Sequence, residues 1–212
     1  AKYLKTRSDI RYRKVCEHSL IGSVNGMYAT TLGTGGTLPI TANFYPSQTF
    51  FDIKLTGLQQ EVMKESMHLA FTVAWNSTSL ERQKKLRNDY EKENCSGINI
   101  HAGDLDVHKE GPSASMAICC ALYSLMNNIP IKQHIAITGE MGMNGDAMAI
   151  GGLDHKILGS IKSGVQSFIY PHENNRDFLE FKEKFNGREE IQGVEFHEVK
   201  HIREVFNIIF DK

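Results

Sequence analysis

His108-Lys109-Glu110-Gly111-Pro112-Ser113-Ala114-Ser115 ends in a serine placed where a helix should begin. Pro112 suits a helix entry, because its missing N–H would have no partner in a first turn anyway. From 114 to 126 the residues are continuously apolar or small, and Asn127-Asn128 follows as a stop. That pattern predicts a buried helix. Downstream, Ile135-Ala136-Ile137 predicts a short buried strand. A turn-rich piece over 139–145 then leads through Met148-Ala149-Ile150 to a break at Gly151-Gly152. A helix is expected over about 154–163, ended by Gly164, then a strand over 165–170 closed by Pro171. An amphipathic helix over 173–185, a strand over 194–199 and a last helix over 202–210 complete the chain. Strands and helices alternate through this half, which favours an α/β architecture with mixed sheets and flanking helices.

The first half carries more strand. Residues 21–29 and 38–44 read as two strands around Leu32-Gly33-Thr34-Gly35-Gly36-Thr37. We read that glycine-rich piece as a hairpin turn, since the G-x-x-x-x-G-K-[ST] phosphate loop is absent and no helix start follows. A third strand is expected over 50–55. A helix over about 58–75 follows, with Leu58, Val62, Leu69 and Val73 at helical spacing and Met63 and Met67 filling core. The highly charged 79–93 reads as an exposed helical or loop segment, and 98–107 as a strand. No internal repeat or low-complexity tract appears.

The chain has 212 residues, 41% hydrophobic and 23% charged, the balance of an ordinary soluble globular protein of one domain or two small ones. The net charge of −1 gives no global electrostatic case for nucleic acid. The start is locally basic (Lys2, Lys5, Arg7, Arg11, Arg13, Lys14), and begins at Ala1 rather than Met. We read the chain as part of something longer: 1–20 a basic interdomain linker, 21–212 the domain proper. Cys16, Cys95, Cys119 and Cys120 show no C-x-x-C spacing, so neither a disulfide framework nor a zinc site is expected. The sequons Asn76-Ser77-Thr78 and Asn94-Cys95-Ser96 follow no signal peptide and read as chance. No apolar run approaches the roughly 20 residues of a membrane span.

The chemistry centres on Ser113 and on Lys156, within Gly151-Gly152-Leu153-Asp154-His155-Lys156. A serine hydroxyl is a poor nucleophile at neutral pH and needs a base within hydrogen-bond reach. A converging lysine can be that base if it is neutral. Lowering its pKa from about 10.4 to about 7 takes roughly 4–5 kcal/mol of selective destabilisation of the ammonium, which burial can supply. The apolar flanks of Lys156 allow such burial, with Asp154 and His155 expected to point elsewhere on the helix. Free backbone N–H groups at the helix start, those of Ser113 and Ala114, can hold a developing oxyanion. Taken singly, a Gly-Pro-Ser at a helix start is usually only a cap, and a lysine near one is usually solvated.

The wider sequence supplies a resemblance. Glu110-Gly111-Pro112-Ser113-Ala114 resembles the P-K-D-G-P-S-A-G signature of Lon proteases. Ala136-Ile137-Thr138-Gly139-Glu140 resembles that family's A-M-T-G-E, and Ile150-Gly151-Gly152-Leu153-Asp154-His155-Lys156 its I-G-G-L-K-E-K. Val24-Asn25-Gly26-Met27-Tyr28-Ala29, Thr56 through Ser66, and Tyr170-Pro171-His172-Glu173-Asn174 match further elements in order. The resemblance implies a Lon-type proteolytic domain with Ser113 as nucleophile, Lys156 as general base and Thr138 as a hydroxyl that helps orient the lysine. Glu110 stands where most members carry aspartate. His101 matches one of two upstream histidines, the other position being Asn99. Two departures are clear: 102–108 replaces the usual V-P-E-G-A-T-P, and Ser115 replaces the last glycine of the signature.

The resemblance further implies an endopeptidase without a metal in this domain. It is coupled to an upstream AAA+ module that uses ATP and Mg, in a homohexamer degrading misfolded or regulatory polypeptides. An intracellular setting, cytosol or mitochondrial matrix, is the matching expectation, with neither membrane nor nucleic acid as partner. A Lon-like ring scaffold without peptidase activity, and an esterase or amidase using the same pair, are the competing readings.

Overall fold

The computed structural model describes residues 14–31, 33–57, 61–93, 97–103 and 112–210. The glycine-rich turn closes an antiparallel hairpin of β1 (Ser23–Ala29) and β2 (Gly35–Tyr45). β3 (Ile53–Thr56) runs parallel to β4 (Gly97–Ala102), which pairs antiparallel with β2. On the other side of the hairpin, β1 is parallel to β5 (Ile135–Ile137). A small separate hairpin follows, β6 (Glu140–Met141) with β7 (Ala147–Met148). Then β8 (Ser167–Pro171) lies parallel to β5, and β9 (Glu195–Val199) parallel to β8. The result is one seven-stranded mixed sheet of order β3-β4-β2-β1-β5-β8-β9.

Helices cover both faces. α1 (Glu61–Ser77), α3 (Ser115–Asn127) and α6 (Ile202–Ile209) lie on one side with Ile135, Ile137 and Ile169. α4 (Leu153–Ile161) and α5 (Asn175–Phe185) lie on the other with Met27, Ala136, Phe168 and Tyr170. Alternate residues of β5 and β8 thus enter opposite cores, which is why these strands read as unbroken apolar runs. The charged segment is a helix, α2 (Leu80–Glu93), anchored by buried Leu86.

Several boundaries differ from expectation for local reasons. The strand expected over 50–55 starts only at Ile53. Phe50 and Phe51 stack at 4.0 Å, Phe51 takes φ 54°, and Phe51 meets Trp75 edge-on at 5.2 Å. The segment expected as one helix over 173–185 is a 3₁₀ turn, His172–Asn174, followed by α5. Of the strand expected over 98–107, β4 accounts for the part up to Ala102, and 104–111 lies outside the described residues. So do 1–13 of the basic segment. Its remainder is tied to the body: Val15 N–H donates to Ser163 O at 2.9 Å, and Leu20 bridges to Ile131.

α4 rests on the hairpin by backbone contact. A Cβ on Gly159 would stand 1.8 Å from Gly35 O, and one on Gly35 would stand 2.3 Å from His155 O. No side chain fits in that seam. Gly159→Ala is therefore expected to lower the unfolding free energy by about 1–3 kcal/mol or more, as overpacking of a filled site does. Urea denaturation beside Gly151→Ala, whose added Cβ would meet nothing within 4 Å, checks this.

Candidate active site

Ser113 lies in a 3₁₀ turn, Pro112–Ala114, that runs into α3. Ala114 rather than Ser113 is the cap of α3, with φ −97° and ψ −4° and no side-chain cap bond. The turn is pinned from the end of β5. Gly139 N–H donates to the Ser113 carbonyl at 2.9 Å, and Thr138 Oγ1 donates to the same oxygen at 3.4 Å. In return the Gly139 carbonyl accepts from Met116 N–H at 3.3 Å and from Ser115 Oγ at 3.4 Å. Ser115 is buried, so the residue that departs from the signature adds one more tie between α3 and the sheet. Thr138 itself extends the β5 ladder, its N–H donating to Ile169 O at 3.0 Å.

Lys156 arrives from α4, on the other face of the sheet. Gly152 caps that helix at φ 68°, a left-handed conformation that glycine adopts without strain. Lys156 N–H makes an early helical bond, to Gly152 O at 3.0 Å. Leu153 and Ile157 are buried one turn apart, and Lys156 shares their inner side at 3% exposure. Asp154 and His155 are outward, 35% and 42% exposed in their side chains, with Asp154 Oδ1 accepting from His155 N–H at 2.8 Å. The amine reaches the end of β5, where Lys156 Nζ donates to Thr138 Oγ1 at 3.1 Å. One hydroxyl is thus the shared neighbour of the lysine amine and the Ser113 carbonyl. Among the described residues, the lysine bonds Thr138 Oγ1 and not Ser113 Oγ.

Burial pushes the Lys156 pKa down from its ordinary 10.5 to about 8. That corresponds to about 3 kcal/mol against the ammonium, and leaves about a tenth of the amines neutral at pH 7. The neighbouring Asp154 carboxylate does not reverse this, because it faces outward.

His101 takes a different place. It is half-buried on β4, with Nδ1 3.0 Å from Thr56 Oγ1 on β3, and Thr56 Oγ1 also reaches Asn99 Oδ1 at 3.3 Å. No described hydrogen bond joins His101 to Ser113, Thr138 or Lys156. Glu110 lies outside the described residues, as does the altered stretch over 104–108. The sequence reading assigned no role to Glu173 and Asn174, yet both hold the backbone leading into α4. Ala149 N–H donates to Glu173 Oε2 at 2.7 Å and Ile150 N–H to Asn174 Oδ1 at 2.9 Å. Their sequence signal was only the P-x-E-N likeness. Among the described residues no three His, Cys, Asp or Glu side chains gather to hold a metal ion, and no helix is long and apolar enough to cross a membrane.

The Lon protease C-terminal proteolytic domain family matches residues 2–212. The chain belongs to this family. It is 35% identical to the Lon protease of Buchnera aphidicola subsp. Baizongia pistaciae over 89% of this chain and 22% of that protein. It is 34% identical to the Lon protease of Mycoplasma mobile over 91% of this chain and 22% of that one. It is 33% identical to Lon protease 1 of Hydrogenovibrio crunogenus over 99% and 24%. The chain therefore spans less than a quarter of the length of these curated relatives. Membership agrees with the mixed α/β fold and accounts for the shared order of the Ser113, Thr138 and Lys156 motifs.

The buried amine makes a stability prediction whose sign is opposite to that of a paired lysine. The folded chain binds this proton more weakly than the unfolded chain does. The penalty is therefore full below about pH 8 and is relieved as pH rises toward 10.5. Lys156→Met is expected to raise the unfolding free energy at pH 7 by up to about 3 kcal/mol, the gain fading between pH 8 and 10.5. Urea unfolding of both chains at pH 7 and pH 10 measures this, and an equal gain at both would contradict it.

Proposed function

We propose that this domain hydrolyses peptide bonds with Ser113 as nucleophile and Lys156 as general base. The observation that carries the reading is the buried Lys156 amine on Thr138 Oγ1, whose hydroxyl also meets the Ser113 carbonyl. Neutral Lys156 takes the Ser113 Oγ proton as the oxygen bonds to the substrate carbonyl carbon. The backbone N–H groups of Ser113 and Ala114 hold the oxyanion. As that intermediate collapses, the carbon–nitrogen bond breaks and the Lys156 ammonium protonates the departing amine. A water molecule, deprotonated by Lys156, then attacks the acyl ester and Ser113 leaves with its proton restored. Thr138 keeps one lysine N–H occupied and so directs the amine lone pair. With the Ser113 backbone fixed by Gly139 and Thr138, this step requires that rotation about the Ser113 Cα–Cβ bond bring Oγ to the amine. Glu110 and His101 have supporting places in this reading, His101 through its bond to Thr56.

In the whole protein we place the domain downstream of an AAA+ module that binds ATP and Mg, joined to it through residues 1–20. Homohexameric rings would receive unfolded polypeptides inside the cytosol or mitochondrial matrix. The relatives named Lon protease support this setting through their much greater length.

Cleavage of a fluorogenic peptide by the chain, by Ser113→Ala and by Lys156→Ala tests the reading. Both variants are expected to lose at least about a thousandfold in kcat/KM. The wild-type rate should fall about tenfold per pH unit below a midpoint near 8, because the base must be neutral. Turnover that persists in Ser113→Ala would sink the assignment.

A further inference from the structure

We infer that Asn174 is a positioning residue for Lys156: its side-chain amide locks the backbone that launches α4 and so keeps the lysine amine against Thr138. The inference rests on the peptidase reading for its catalytic consequence, but not for its geometry.

Asn174 is 2% exposed and makes three hydrogen bonds. Its Oδ1 accepts from Ile150 N–H at 2.9 Å, and its Nδ2 donates to Ile150 O at 2.7 Å. A neighbouring strand would offer the same paired exchange, but a single side chain supplies it. The second amide hydrogen goes to Asp177 Oδ2 at 2.7 Å. An ionised carboxylate only accepts, so this bond fixes which way the amide faces. Glu173 Oε2 adds a bond from Ala149 N–H at 2.7 Å. Three backbone groups of Ala149–Ile150 are thus held by side chains of the turn that follows β8.

This segment needs such a holder. It has left β7 and has not yet entered α4. Next come Gly151, which would meet nothing within 4 Å if it carried a Cβ, and Gly152, in the left-handed region. Only these two residues separate the fixed point at Ile150 from Leu153, the first residue of α4, so a displacement of Ile150 is carried into the first turn of the helix. Lys156 is four residues beyond Gly152, within the first turn of α4, and any tilt of that turn moves Nζ. Displacements of about 1 Å at a reacting group can cost about a hundredfold in rate. Around this junction Asp154 bonds His155 N–H, Glu173 bonds Ala149 N–H and Asp177 bonds Asn174, while from α5 Glu180 pairs with Arg176 and the Lys184 amine lies over the Phe185 ring. Burial pushes the Lys156 pKa down, so a slackened α4 start would be read as rehydration of its amine.

The test follows the Lys156 amine itself, by NMR titration of the chain carrying ¹³C-labelled lysine, with Lys156→Met identifying the resonance. Asn174→Ala is expected to move the midpoint up from about 8 by at least about one pH unit toward 10.5. It should also lower kcat for a fluorogenic peptide at least about tenfold at pH 7 with KM within about twofold. Ile202→Val, a buried substitution on α6, serves as a destabilised control and should leave the midpoint in place. Should Asn174→Ala fail to fold, Asn174→Asp replaces it. That isosteric change keeps an acceptor for Ile150 N–H and removes both donor bonds. A folded Asn174 variant whose midpoint stays at the wild-type value overturns the inference. The titration needs no turnover. An inactive wild type with a midpoint that responds to Asn174 would count against the peptidase reading and for the positioning role. An active enzyme, dependent on Ser113 and Lys156 but indifferent to Asn174, would do the reverse.

Discussion

The Lys156 amine is held against Thr138 by a helix, α4, that lies in backbone contact with the β1–β2 hairpin. The contact is made by Gly159 over Gly35, too close for a side chain on either residue. A lysine on that side sits beside Leu153 and Ile157 in a core completed by Met27, Ala136 and Phe168. In such surroundings the ammonium loses its hydration and gains no carboxylate in return, so its proton is held less tightly than that of a solvated lysine. The reactivity expected of the amine therefore depends on a packing detail some distance from it. A bulkier hairpin turn would lift the helix and return the lysine to ordinary surface chemistry.

The site has three contributors far apart in sequence. The turn before α3 brings Ser113, the end of β5 brings Thr138, and the first turn of α4 brings Lys156. They meet at the carboxyl end of a parallel strand, where the chain leaves the sheet and backbone groups are free to engage side chains. The meeting is made by a single hydroxyl. Thr138 Oγ1 accepts from Lys156 Nζ and donates to the Ser113 carbonyl, and Gly139 N–H supports the same carbonyl. Serine in place of Thr138 would keep those bonds but lose the methyl group that restricts the hydroxyl's rotation, since a β-branched residue is stiff about χ1.

Much of this was legible in the sequence, and the limits have physical causes. The buried helix after Ser113 and the alternation downstream followed from runs of apolar residues bounded by Gly, Pro and Asn. Residues 50–51 misled because two phenylalanines carry high strand propensity, yet they stack on each other and meet Trp75 edge-on instead of pairing. The 3₁₀ turn before α5 was hidden because Asn174 looks like any helix-start asparagine, while its amide is committed to Ile150, a contact no local pattern encodes. For the site, the residue types at Ser113, Thr138 and Lys156 could be picked out by likeness to a family signature. Their convergence could not be read from spacing alone. His101 was grouped with them on the same likeness, and its bond is to Thr56 on the neighbouring strand.

On the peptidase reading proposed above, the capping arrangement divides labour between Ser113 and Lys156. Had Ser113 been the cap of α3, its hydroxyl would have been engaged in accepting from a backbone N–H two or three residues on. Ala114 takes that position with no side-chain bond. The serine side chain is left to rotate while its backbone is held from β5. The lysine is the converse: its amine is buried and hydrogen-bonded, and its helix is anchored on both sides of the lysine, by Asn174 before Gly151 and by the Gly159 seam behind. In the proposed mechanism Lys156 must lose its proton readily, which calls for fixed, dry surroundings, and Ser113 must swing from base to carbonyl, which calls for a free torsion. The turn and the helix supply these opposite conditions within the reach of one threonine hydroxyl.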